Sequence, residues 1–487
     1  MSDSVPLPRA EDNIQARADE ILRLVEEKYD LLQYRVDGWT AWPLLRFWVA
    51  SQLADIGLST PVTQSNQGWR LWIALQSIQA LVCLPRARYF VKTYTSARGE
   101  RSERQGGLYK DIYFDELLMA LGDYCKIESL NNIRMFPRSQ AALLPSHLYT
   151  PILELAAFGL RLSSRSAARF MPIARAIATA FETETGLRFT TEQMAATLGN
   201  FYWMKKIYAW LLDKVHPEFV LTADSGEFSL YAAARERGIR SIEFTHAFCD
   251  RYYWPYSWSA YALPHKAHMP IPDRIFVYGD YLRDEYNTRK FWNDSLQAVG
   301  SLRVDDFRKR DTIKWANDRC VITLTTQGIQ RSEFIAFLTQ FLVLAREASF
   351  LLKLFVKLHP VYDQDKTLYE QAFAPFGDTV TVLAADELPS TFEIIQQSHL
   401  HLSVSSSCHY EALGLGVPTV ILPFATYEML VHLYRAGHAH LASTPAELLE
   451  IVRGWRSHSV SPAISQYYFE PDAVNNILCR LGAPVLH

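Results

Sequence analysis

A chain of 487 residues is too long for one ordinary core, so two or three domains are expected, and 49% hydrophobic residues suffice to fill them. A formal net charge of −3 excludes bulk nucleic-acid binding, which needs a strong basic excess. Six cysteines (Cys83, Cys125, Cys249, Cys320, Cys408, Cys479) lie far apart with no C-x-x-C pair, so neither a metal site nor a disulfide framework is indicated and a reducing cytoplasm is the simplest home.

The N-terminus, MSDSVPLPRAEDN, lacks the basic and apolar regions of a signal peptide. Ala10–Leu58 reads as helical: Leu22, Val25, Tyr29 and Leu32 recur at helical spacing, Asp37-Gly38 marks a turn, and a second helix runs from about Thr40 to Leu53. Gly68–Phe90 reads as an apolar helix flanked by Trp69, Arg70, Arg86 and Arg88. It falls short of the roughly eighteen apolar residues a membrane span requires, but suits a membrane interface with arginines at anionic headgroups. Asp111 and Asp115 stand one helical turn apart; contact with an acceptor sugar and capping of a helix start are both open to them. Leu160–Ala180 carries Arg161, Arg165 and Arg169 at four-residue spacing, then Arg175, which suits an anionic surface or a plain solvated face.

Leu148–Lys214 reads as wholly helical, and α/β texture begins at Phe219. FVLTADSG is a strand with a small-residue turn, Phe228–Arg237 a helix stopped by Gly238, and Ser241–Thr245 the next strand. The strand ends carry Asp224, Glu227 and His246. An aromatic loop follows, then a strand over Asp273–Asp280, a helix to Trp292, and strand and turn over Ala298–Asp306. These readings divide the chain into a helical segment (1–60), a domain over 61–270 with a helical insertion at 148–214, and a domain over 271–487. The last of these closes with a helix over Tyr467–Leu481 that packs back across the molecule.

Two stretches in the C-terminal half carry chemistry. Leu351–Pro360 (LLKLFVKLHP) is a buried strand ending in Lys357, His359 and Pro360. In Ser398–Phe424 a strand over Leu400–Val404 is followed by Ser405, Ser406 and Ser407, a helix over Tyr410–Leu415, Gly416 as its stop, and a strand over Thr419–Leu422. This is one βαβ unit of a parallel sheet. Hydroxyls, unpaired N–H groups and the helix dipole meet at its turn, a seat for phosphate, although Ser-rich turns also cap helices and bind nothing. Glu411, one turn into the helix, is placed to take ribose hydroxyls. Ligands gather at the carboxyl ends of strands in an open α/β sheet, so the two stretches together suit a nucleotide.

His359-Pro360 and Ser405–Ser407 resemble the paired motifs of bacterial GT-B glycosyltransferases that build capsules and O-antigens, including polysialyl- and Kdo-transferases that use CMP-sugars. More distant are the CDP-glycerol polymerases of teichoic acid synthesis. Glu411, Ala412, Leu415, Gly416 and Pro418 are also similar to UDP-GlcNAc 2-epimerases, and the resemblance spans about residues 215–425. It implies an α/β, GT-B fold of two Rossmann-like domains facing a cleft, with an extended helical N-terminal region. It further implies a metal-independent transferase without a cofactor, in which a nucleotide-sugar, a CMP-linked acidic sugar such as Kdo favoured, is a co-substrate. The acceptor would be a glycan or lipid-linked glycan, and the setting cytoplasmic and peripheral at an anionic inner membrane.

The same resemblance implies roles. His359 stabilises the leaving phosphate, with Lys357, Pro360, Ser405, Ser406 and Ser407 around it and Glu411 on the ribose. Ser301 and Arg303 match a G-S-x-R turn that touches donor phosphate or secures the linker. Asp224-Ser225-Gly226 is similar to the acidic D/E-D/E-G motif of polysialyltransferases, with Ser225 where a second acid is usual. Asp224 is then base or nucleophile, with Glu227 its rival and helix capping the plain alternative. His246, in THA where relatives have QHG, falls on the acceptor side with Asp111 and Asp115. A nucleotide-sugar 2-epimerase and a catalytically silent GT-B scaffold remain the other readings.

Overall fold

The computed structural model describes residues 14–54, 67–102, 106–164, 166–310, 318–328, 330–360 and 362–485. The chain forms two compact units. The N-terminal unit comprises Ile14–Tyr278 and Leu282–Leu302 and takes back the chain from Val474; the C-terminal unit comprises Gly279–Tyr281 and Arg303–Ala473.

The N-terminal unit is built on seven parallel strands: β1 (Tyr89–Tyr94), β2 (Tyr124–Ser129), β3 (Leu148–Tyr149), β4 (Phe219–Thr222), β5 (Arg240–Phe244), β6 (Arg274–Val277) and β7 (Leu296–Ala298). Their order is β7-β6-β5-β4-β1-β2-β3, every pair parallel. The chain starts mid-sheet, builds to one edge, then returns past β1 to build the other, so adjacent loops diverge between β1 and β4. Helices surround the sheet: α1 (Ile14–Lys28), α2 (Pro43–Leu53), α3 (Gln67–Val82), α4 (Asp115–Leu121), α5 (Pro151–Ser163), α6 (Ser166–Thr185), α7 (Thr191–Val215) and α8 (Phe228–Arg235). Leu22 and Val25 of α1 are buried as their spacing predicts, and buried Arg46 of α2 holds Glu26 at 2.6 Å. Asp37 and Gly38 both have positive φ (53° and 87°), as the tight turn joining Arg35–Val36 to Trp39–Thr40 requires.

In this sheet β1, β2 and β3 escaped the sequence reading. The apolar helix expected to Phe90 ends at Val82, and after Pro85 the chain becomes central strand β1, with β-branched and aromatic residues in YFVKTY. Likewise β3 interrupts the expected helical run from Leu148. The helix expected over Leu160–Ala180 is two helices: the Ser163 and Ser164 hydroxyls return to the Leu160 carbonyl (3.1 and 2.6 Å) where α5 stops. Arg161 therefore lies on α5, and Arg169 and Arg175 on α6, so the basic face does not form as one row. Arg165 and the side chains of Trp69 and Arg70 lie outside the described residues. Among the described residues no helix is long and apolar enough to cross a membrane.

The C-terminal unit holds six parallel strands: β8 (Cys320–Thr325), β9 (Leu352–Lys357), β10 (Val380–Leu383), β11 (Leu400–Ser403), β12 (Thr419–Ile421) and β13 (His440–Leu441). Their order, β10-β9-β8-β11-β12-β13, is the Rossmann 3-2-1-4-5-6 pattern, with its switch between β8 and β11. Helix α9 (Arg331–Glu347) links β8 to β9, and α10 (Cys408–Gly414) links β11 to β12, the βαβ unit expected from Ser398–Phe424. Gly416 (φ 76°) ends it. The expected tail helix is two: α11 (Pro462–Tyr468) stays with the C-terminal unit, and most of α12 (Ala473–Leu481) belongs to the N-terminal one. The Arg303 segment, expected as strand and turn, is helical over Leu302–Arg308. Two Rossmann-like parallel sheets in one chain, with an extended helical N-terminal region, are the architecture the sequence led us to expect.

Candidate functional sites at the two switch points

In the C-terminal unit three loops from neighbouring strands are stitched together at the carboxyl edge. Ser405 donates through its N–H (2.9 Å) and its hydroxyl (3.0 Å) to Gln327 Oε1, which joins the loop after β11 to the loop after β8. Its Oγ also meets Thr426 Oγ1, beyond β12, at 2.6 Å. Thr326 N–H donates to the Lys357 carbonyl (3.0 Å), and the His359 N–H donates to Thr326 Oγ1 (3.3 Å), tying in the loop after β9. Gly328 is required here: its φ is +70° and a Cβ would stand 2.4 Å from the Tyr362 carbonyl.

His359 is half-buried and stacks on Tyr362, ring centroids 4.7 Å apart. Its Nδ1 accepts the Tyr362 N–H (3.1 Å), which leaves the neutral ring's proton on Nε2. Burial holds its pKa below the ordinary histidine value, with Asp363 opposing, so near neutral pH it is a donor rather than a counter-ion. Pro360 and Ser407 are exposed. Ser406 Oγ accepts the Cys408 N–H (3.2 Å), capping α10. That helix has seven residues, so hydroxyls and local N–H groups outweigh any dipole there. Glu411 is half-buried beside the Cys408 thiol.

Lys357 does not take the place expected for it. It is 1% exposed, and its ammonium donates to the carbonyls of Glu387 and Pro389 (3.1 Å to the latter), anchoring that loop from below. Both faces of a parallel sheet are covered, so the last side chain of β9 points into protein, and burial lowers its pKa. Arg303 lies over the Phe392 ring at 3.7 Å, while Ser301 belongs to the N-terminal unit. Neighbouring His409 is buried against Thr419 Oγ1 (2.5 Å) and its pKa is lowered to about 3 by burial.

The N-terminal unit has its own switch point, where β1 and β4 end. Exposed Asp224 folds back on its turn, Oδ1 accepting the Gly226 N–H (3.2 Å). Tyr94, at the end of β1, donates to the Ala223 carbonyl (3.3 Å), and Tyr253 reaches Ser225 Oγ at 3.2 Å. Tyr113 donates to the His246 carbonyl (3.1 Å) and its ring lies 5.8 Å from that of Tyr94. The His246 Nδ1 is buried without a hydrogen-bond partner among the described residues; burial lowers the ring's pKa and nearby Asp224 opposes. Glu227 is mostly buried and ion-paired with Lys92 of β1; burial raises its pKa and Lys92 pulls it back.

Asp111 and Asp115 are not acceptor residues on an open face. Both are fully buried. Asp115 meets Arg98 at 2.8 Å and also Lys126, and Asp111 meets Lys126 at 3.2 Å and Thr93 Oγ1 at 2.7 Å. Burial works against the Asp111 charge, but Lys126 and Arg98 hold its pKa below the ordinary value. Asp111 also accepts the N–H groups of Tyr113 and Phe114, which lie before α4 begins at Asp115, so it fastens the turn ahead of that helix and does not cap the helix itself. Sequence reasoning missed Thr326, Gln327, Gly328 and Thr426 on one side and Lys92, Tyr94 and Tyr113 on the other. The first group had a signal: TTQG after a buried strand repeats the grammar of SSS after β11.

No protein-family profile and no curated protein matches the chain. Among solved structures, the UDP-GlcNAc 2-epimerase of Neisseria meningitidis bound to UDP-GlcNAc is similar at a TM-score of 0.49 and 13% identity, over 81% of this chain and 99% of that one. Acinetobacter baumannii MurG gives 0.46 and 8%, over 81% and 99%. The glycotransferase of kitacinnamycin gives 0.46 and 12%, over 82% and 100%. Likenesses below a TM-score of 0.5 bear on neither substrate nor reaction.

Proposed function

We propose that the chain is a metal-independent glycosyltransferase that moves a sugar from a nucleotide-sugar to a glycan or lipid-linked glycan in bacterial surface-polysaccharide synthesis. A CMP-linked acidic sugar such as Kdo is the favoured donor, and the cytoplasmic side of the inner membrane the favoured setting. The observation that carries this is the Ser405–Gln327 pairing at the β8/β11 switch point, where an open α/β sheet takes its nucleotide.

In this reading the leaving phosphate is met by the Nε2–H of His359 and by hydroxyl and N–H groups of Ser406 and Ser407. Glu411 takes the ribose. Lys357 acts only by holding the 387–389 loop in place. In the N-terminal unit Asp224 takes the acceptor's proton or attacks the anomeric carbon; its exposure, against the Lys92 pairing of Glu227, supports choosing it over its rival. Tyr94, Tyr113 and Tyr253 offer rings with polar ends, suited to a sugar.

The test is a thermal-shift screen of CMP, CDP, UDP, GDP and their sugars. One nucleotide should raise the melting temperature, and Gln327→Ala should abolish that rise. A ligand at about a hundred times its Kd stabilises by about 2.7 kcal/mol, well within detection. No shift with any nucleotide would reject the reading. Binding followed by free epimerised nucleotide-sugar would replace transferase with epimerase, and binding without turnover would leave a silent scaffold.

A further inference from the structure

The helices α3 and α5 of the N-terminal unit pack against each other and turn their outer sides to solvent. On α3 the side chains of Leu71, Leu75, Ile78 and Val82 are each half or more exposed. Their spacing of four, three and four residues makes one stripe, while Ile73, Ala74 and Ser77 on the opposite side are buried. On α5 Leu155, Phe158 and Leu162 repeat the pattern at spacings of three and four and are also exposed. Solvated helices of globular proteins carry charge on the outer face. These two carry leucine, isoleucine and phenylalanine there instead.

The charges nearby are three basic groups and one acid. Arg86 stands exposed just after α3, and the Lys214 ammonium donates to the Leu81 carbonyl (3.3 Å) near the end of that helix. The Arg161 guanidinium lies 5.2 Å over the Phe158 ring. Helix α3 contains no acidic residue, and the one acid of α5, Glu154, sits in its first turn and accepts from Thr150 Oγ1 (2.8 Å). An apolar face edged by three cations, with the single acid Glu154 at the start of α5, complements a surface with negative headgroups over hydrocarbon. With 16 residues, α3 is about 24 Å long at 1.5 Å per residue, suited to lying in the interface and not to crossing it.

We propose that the exposed apolar face of α3 and α5, with Arg86, Arg161 and Lys214 at its edge, docks the protein on an anionic lipid bilayer. Arg86 and Arg161 are among the residues the sequence suggested, but the basic row over Arg161–Arg175 is split between two helices and the exposed apolar stripes form the face instead. The proposal deepens the glycosyltransferase reading by placing its acceptor at a lipid surface. Lipid binding is measured without nucleotide or acceptor, so the two fail separately.

The test is co-sedimentation of the full chain with vesicles of phosphatidylglycerol and phosphatidylcholine, against vesicles of phosphatidylcholine alone. The protein should pellet with the anionic vesicles and be released by salt. Leu75→Glu with Phe158→Glu should lower the partition coefficient at least about tenfold, since insertion scales with buried apolar area. Arg86→Glu with Arg161→Glu should remove the preference for phosphatidylglycerol. Leu75, Phe158 and Arg86 are exposed and Arg161 is half-buried, its guanidinium donating to the Ala196 carbonyl (3.4 Å), and an unchanged melting temperature excludes unfolding as the cause. The proposal is overturned if the full chain stays in the supernatant with anionic vesicles, or if the Leu75→Glu/Phe158→Glu variant pellets like the parent. It is overturned equally if sedimentation equilibrium finds a dimer that this variant dissociates while no lipid is bound, for the face would then join two copies.

Discussion

Replacing Glu243 by glutamine should remove a pH dependence of stability that originates beneath Asp224. Glu243 lies on β5, 1% exposed, with the hydroxyls of Tyr256 and Tyr231 against its two oxygens, the latter at 3.0 Å. The Tyr231 hydroxyl is also 3.1 Å from the Asp224 carbonyl. One phenolic proton cannot serve both acceptors, but a protonated Glu243 can donate to Tyr231, which then donates to Asp224. Burial pushes the Glu243 pKa up to about 8, the two tyrosines opposing and Asp224 and Glu227 adding to it. A carboxyl raised in the folded state contributes stability that is complete below its unfolded value near 4.5 and is lost as pH rises towards about 8. Between about pH 6 and about pH 8 the loss is about 2 kcal/mol, from a slope approaching 1.4 kcal/mol per pH unit that flattens near the folded pKa. Urea unfolding followed by tryptophan fluorescence at both pH values measures it. Glu243→Gln keeps an acceptor for Tyr256 and a donor for Tyr231, so the variant should lack this part of the loss. An identical pH dependence in parent and variant would refute the protonated-carboxyl argument.

Asp224→Asn preserves the turn bond to the Gly226 N–H and removes basicity; turnover of the nucleotide-sugar found by screening should fall at least about a hundredfold, with nucleotide affinity unchanged in the thermal-shift assay. His359→Ala should abolish that turnover and leave the circular dichroism spectrum intact. Gly328→Ala forces a Cβ against the Tyr362 carbonyl at positive φ, so it should lower stability by about 1–2 kcal/mol or more in urea titration and weaken the nucleotide-induced shift. Arg98→Met leaves Asp115 and Glu128 buried without their guanidinium and should cost about 3–5 kcal/mol in the same titration.

Much of the C-terminal unit was legible in the chain. A parallel strand is covered on both faces, so LLKLFVK, LHLS and TVIL stand out as apolar runs, and Gly416 and Pro418 punctuate them. The first strands of the N-terminal sheet were not legible, because YFVKTY and YCKIES place lysine and glutamate at buried positions. Those charges are satisfied by partners on other elements: Lys92 by Glu227, and Lys126 by Asp111 and Asp115. A polar residue within a strand reads as exposed until its counter-charge is known.

The sequence by itself determined the α/β texture from Phe219 onward, the place of the βαβ turn at Ser405–Ser407, and the loop position of Asp224, since these follow from local periodicity and from Gly, Pro and Ser punctuation. Only the tertiary structure decided which polar groups point outward. Lys357, Asp111 and Asp115 carry the residue types of a binding site, yet each is turned into the protein and fastened there. Gln327, whose TTQG setting the sequence reading passed over, joins the loops after β8 and β11. Strand order brings β8 beside β11 across about eighty residues of chain, and local sequence carries no record of that adjacency.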